Sequence, residues 1–203
     1  MKLKLLLCII YLSFVSCAQS KEIKQSEEDN QYEITLPKRE RAAAKNYNNI
    51  DDQIIGEYSF EVKTNDPDFE NGIIPWASIE KPQDDLPNLI DKDIIIIIEK
   101  KITIVIDYPL QNEYHFQLES KNGFSRKDLL LEISKHYYQL YKKEEESATL
   151  KTLPIDERSI QNRNETNGRY GIWGHDISDL VLTDIYVYKD DNGKITVTMN
   201  IDS

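Results

Sequence analysis

Cysteine is almost missing from this chain. It has two, Cys8 and Cys17, and none in the residues that follow. An internal disulfide, a thiol nucleophile and a cysteine-based zinc site are thereby excluded beyond residue 17. Histidine is scarce as well, with three copies, which leaves little room for imidazole chemistry. Basic residues are in deficit: 25 Lys+Arg stand against 36 Asp+Glu, a formal charge of -11. Neutralising a phosphate backbone takes clustered lysine and arginine, so this balance argues against nucleic acid as a partner. No apolar run reaches the roughly 20 residues that cross a bilayer. No G-x-S-x-G or H-E-x-x-H pattern occurs, and no repeat of 20 to 50 residues, which argues against a solenoid or propeller. Neither a cofactor nor a metal is expected.

What is present begins with an address. Lys2 and Lys4 precede Leu5 to Val15, an eleven-residue run broken only by Ser13, and this is the pattern of a secretory signal over 1–16. Phe14, Val15 and Ser16 then lead into Cys17. This segment resembles the lipobox of bacterial lipoproteins, with Phe14 standing where that family usually has leucine. The resemblance spans about seventeen residues. It implies that Cys17 is acylated, becomes the mature N-terminus and anchors the chain to the cell membrane or outer membrane through the lipid bilayer. Ser16 and Ala18 also fit ordinary signal cleavage after Ala18, which would give a secreted or periplasmic chain. Residues 17–52 are polar and mixed in charge, and read as a tether with a short frayed helix near 39–45. As a flexible coil such a tether reaches about 30 Å.

With 203 residues in all, 53–203 forms one domain. Tyr58, Phe60 and Val62 alternate with polar residues at the period of a half-buried strand. A short edge strand interrupted by Pro75 is expected over 73–79. Ile94 to Ile98, Ile102 to Ile106 and Tyr114 to Leu118 are further strands. Five consecutive isoleucines cannot alternate, so the first of these is expected in the sheet centre, covered on both faces. Ser125, with Asp128 three residues on, predicts a helix start, stapled by Phe124 against Leu129. Leu129, Leu130, Ile133, Tyr137, Leu140 and Tyr141 recur at helical spacing on one face. The charged end, Lys142 to Glu146, is expected to be a solvated last turn, and His136 a surface or boundary histidine. Asp190 to Gly193 predicts a hairpin between a strand over 180–187 and one over 195–201. The fold class is therefore α+β: a mainly antiparallel sheet packed against one long amphipathic helix, with a C-terminal β-hairpin.

The unusual segment is 162–179, NRNETNGRYGIWGHDISD, which holds three of the seven glycines. Gly168, Gly171 and Gly174 point to a specified loop and do not have dinucleotide-binding spacing. Arg163 and Arg169 could pair with an anionic ligand group, or internally with Asp156, Glu157 or Glu165. Tyr170 and Trp173 could form an aromatic platform for a sugar or peptide, or Trp173 could plug the end of the sheet. His175 with Asp176 or Asp179 has the residue types of a general base or part of a metal site. The leading expectation is a non-enzymatic binding or protein-interaction domain in the envelope, including the immunity type that neutralises a toxin. Its binding residues would be Arg163, Arg169, Tyr170, Trp173 and His175, and its partner a protein or small molecule. The alternative is a hydrolase using His175 with Asp176 or Asp179, with a metal as a possible aid.

Overall fold

The computed structural model describes residues 26–43, 53–160 and 164–203. The signal, Cys17 and Arg163 lie outside the described residues.

The architecture is α+β, with a mainly antiparallel sheet and one long helix. Five strands set the sheet: β1 (Gln53–Ser59), β6 (Lys101–Ile106), β7 (Tyr114–Glu119), β9 (Val181–Lys189) and β10 (Ile195–Asp202). Their spatial order is β1-β9-β10-β6-β7. Every pairing is antiparallel except β10 with β6, a parallel seam at Thr196–Thr103 and Val197–Ile104. A sixth strand, β4 (Ala77–Ser78), pairs with β9 at Leu182 and Val181, beyond the stretch that β1 occupies. Two ribbons stand outside this sheet: β2 (Val62–Lys63) with β3 (Ile73–Ile74), and β5 (Ile95–Ile97) with β8 (Phe124–Ser125). The β9–β10 turn closes as expected, with Gly193 N–H donating to the Asp190 carbonyl at 2.9 Å and Gly193 at φ 80°.

After α1 (Glu27–Ala43) and the single turn α2 (Pro82–Asp85), the long helix α3 (Arg126–Ser147) starts where Ser125 predicts. The Ser125 hydroxyl accepts from the Asp128 N–H while the Asp128 carboxylate accepts from the Ser125 N–H, a reciprocal capping box. Leu129, Leu130, Ile133, Tyr137 and Leu140 are fully buried and meet Ile102, Ile104, Ile106, Val197 and Leu182 in one core. Hydroxyls fix the helix to the chain beneath it: Ser134 donates to the Ile79 carbonyl and Tyr138 to that of Glu80. His136 is a boundary residue, stacked on Phe116 with centroids 3.5 Å apart, and burial holds its pKa below the ordinary histidine value.

Three expectations need correction. The isoleucine run is not a central strand. Both edges of β6 are taken, by β7 and β10, so the segment just before it cannot enter the sheet and pairs instead with Phe124–Ser125. Only Ile97 is buried; Ile94, Ile95 and Ile98 face outward, Ile98 with 79% of its surface exposed. The end of α3 is not simply solvated, because Glu144 is completely buried. Part of the supposed tether is helix α1 (Glu27–Ala43), longer and earlier than the short helix expected. Ser26 and Asp29 repeat the capping box of α3, with Asp29 Oδ2 2.7 Å from Ser26 N and Asp29 N 3.2 Å from Ser26 Oγ. Asp29 and Tyr32 are buried. Among the described residues no helix is long and apolar enough to cross a membrane.

Candidate functional site

The 164–179 loop is a built structure, and Glu144 explains why. Its carboxylate accepts hydrogen bonds from the Thr166 hydroxyl at 2.6 Å, from Gly168 and Tyr170 N–H at 2.7 Å each, and from Gly171 N–H at 3.2 Å. Backbone donors thus satisfy a buried carboxylate that would otherwise carry a large desolvation cost. A Cβ at residue 168 would lie 2.7 Å from the Glu144 carboxyl carbon, so only glycine lets the backbone approach that closely. The other side of the loop is stitched to the β6–β7 connection. Gln111 and Asn112 N–H donate to the Tyr170 carbonyl, and Trp173 N–H to that of Pro109.

This construction places the predicted site residues. Trp173, with 2% of its surface exposed, packs edge-on against Tyr108 and offers no open platform. Tyr170 is buried edge-on against Tyr114. Arg169 is exposed and its guanidinium lies 5.6 Å from the Tyr170 ring centroid. His175 is buried, its Nε2 2.7 Å from the Tyr108 hydroxyl and 3.4 Å from Ser203 Oγ. Asp176 is gripped by Arg158, which donates twice at 2.7 and 2.9 Å, and by the Asn164 amide at 3.2 Å. Burial pushes the Asp176 carboxyl up, but the hydrogen bonds from Arg158 and Asn164, with the charges of Arg158 and His175, outweigh it and hold the pKa below the ordinary aspartate value. Asp179 accepts from the Asp176 N–H at 2.9 Å and so caps the short turn Ile177–Asp179. Both carboxylates considered as partners for His175 are therefore engaged in holding the loop. Among the described residues Arg158, not singled out in the sequence, is the arginine that pairs with a carboxylate of this loop. Asn164 Oδ1 is buried without a hydrogen-bond partner among the described residues.

The far side of this loop is covered by α1. Leu36 Cδ1 lies 3.3 Å and the Tyr32 hydroxyl 3.8 Å from where a Cβ on Gly174 would be. Among the described residues no group of three or more His, Cys, Asp or Glu side chains is placed to hold a metal ion.

The surface left open lies elsewhere. Among the described residues β1 is an outer strand of the sheet, paired with β9 alone, and a bulge between Ile54 and Gly56 makes Ile55 its extra residue. Ile54 and Ile55 are both exposed. Ile55, Ile96 and Ile98 line one concavity of about 240 Å³ with Tyr58, Val187 and Glu99, so Ile55 of β1 and the isoleucines at the end of the β5 ribbon share a largely apolar wall. Sequence reasoning missed it because a continuous apolar run signals burial. The legible clue was the three-residue link Ile98–Lys100 to the next strand, too short for a crossover to a parallel position. No protein family, characterised protein or solved structure matches the chain.

Proposed function

We propose that this chain is an exported, lipid-anchored, non-enzymatic domain that binds a protein partner through the isoleucine surface beside β1. The observation that carries the reading is the concavity that Ile55, Ile96 and Ile98 share, with Ile55 and Ile98 exposed at it. Contiguous apolar surface at an open sheet edge costs solubility and marks a place where another chain is received. The recognition surface is thereby moved from the 164–179 loop, whose aromatic residues are spent on packing. Charge decides between a second copy and a different protein. Two copies at -11 each repel, whereas a basic partner is steered in.

The test is site-specific photo-crosslinking in cells with the full chain, placing the reactive side chain at Ile55, at Ile98 or at Tyr138, an exposed residue of α3. Adducts to one basic protein at Ile55 and Ile98, absent at Tyr138 and abolished by an Ile98→Asp substitution combined with the Ile55 probe, are expected. Adducts at none of the isoleucines, or equally at Tyr138, would overturn the assignment.

A further inference from the structure

A second concavity, of about 380 Å³, is framed by Phe69 and Trp76. The two rings meet edge to face, centroids 5.7 Å apart and planes at 76°, and both are partly exposed. Glu61, Asp68 and Glu70 complete the wall. No lysine or arginine lines the cavity, and none of these three carboxylates is in an ion pair among the described residues.

We infer that this cavity receives an arginine side chain of the protein partner. Three features select that chemistry. The aromatic faces attract a cation through their quadrupoles, and a planar guanidinium stacks on them as an ammonium cannot. The carboxylates offer forked acceptors to its N–H groups. The same acids are too dispersed to hold a bare metal ion, so the fitting cation is an extended organic one. The rim residues Asp68, Glu70 and Pro75 are exposed, which lets a side chain enter while its own backbone stays outside. The inference rests in part on the proposed partner. Glu61 lies three residues after Tyr58 of the isoleucine concavity, no more than about 11 Å along an extended chain, so one partner segment can reach both.

The site can be tested without the partner, which separates its failure from that of the isoleucine surface. The chain has two tryptophans, so the indole N–H of Trp76 and that of the buried Trp173 give separate NMR signals. The probe is N-acetyl-arginine amide, titrated into the full chain against its uncharged isostere N-acetyl-citrulline amide. The Trp76 signal is expected to shift and saturate in the millimolar range with the arginine compound only, the Trp173 signal to stay in place, and an Asp68→Asn/Glu70→Gln variant to bind at least fivefold more weakly. Equal response to both compounds, no response of Trp76, or unchanged affinity in the variant would each overturn the inference. Unshifted spectra of that variant away from the cavity verify its fold.

Discussion

Replacing Glu144 by glutamine would change one oxygen into an NH2 group in a place where only donors converge. The four groups around it are three backbone N–H, which cannot accept, and the Thr166 hydroxyl, whose oxygen already accepts from the Ile172 N–H. Hydrogen bonds to a charged acceptor contribute about 1.5–3 kcal/mol each way of counting, and they share one carboxylate, so Glu144→Gln is expected to lose about 2 kcal/mol. Urea unfolding measures it. Its exposed neighbours Glu145 and Glu146 set the comparison, with changes to glutamine expected within about 0.5 kcal/mol. Nothing in the local run KKEEES distinguishes the three acids. The donors that select Glu144 arrive 22 to 27 residues later in the chain, so the role is a tertiary fact. The loop glycines, by contrast, were legible, because a cluster of residues that tolerate left-handed backbone announces a fixed path before its partner is known.

Elements divide in the same way. Helix α3 could be read to its first residue because its cap and its apolar stripe carry independent, agreeing signals, and β9–β10 because alternation and an Asp-Asp-Asn-Gly turn coincide. The isoleucine run carries no phase, so its sequence could not say which edge or face it would meet. Helix α1 had its cap in plain sight at Ser26 and Asp29, but a weak stripe, and its seat depends on a loop far along the chain. Gly174 reports on that seat. It holds φ 82°, and an added Cβ would press on Leu36. Gly174→Ala is expected to cost about 1–2 kcal/mol of backbone strain and to loosen α1. Amide exchange over 27–38 should speed up in the variant. Unchanged exchange there would mean that α1 is held by other contacts than the one at Gly174.

For the molecule as a whole, the proposed anchor and the acidic charge make one prediction together. Intact-mass measurement of the membrane fraction should find an acylated chain beginning at Cys17, and Cys17→Ala should release it. A soluble mature chain beginning at Gln19 would end the lipoprotein reading while leaving both concavities as they are. Anchoring confines the search for a partner to a thin shell near the membrane, where a basic protein and an acidic domain meet often even when each single contact is weak.

The sheet has its earliest strand at one side and its latest in the middle. β1 has no neighbour until β9 exists, and β9 and β10 together separate it from β6. A chain being synthesised must therefore carry β1, β6, β7 and α3 with the centre of their sheet missing until residue 202 has been made. The β6–β7 hairpin and α3 can pair early, but the seams that join them to β1 wait for β9 and β10, because long-range strand pairing waits for its last participant. Under the export proposed above, that ordering would keep the polypeptide threadable and tie completion of the fold to arrival.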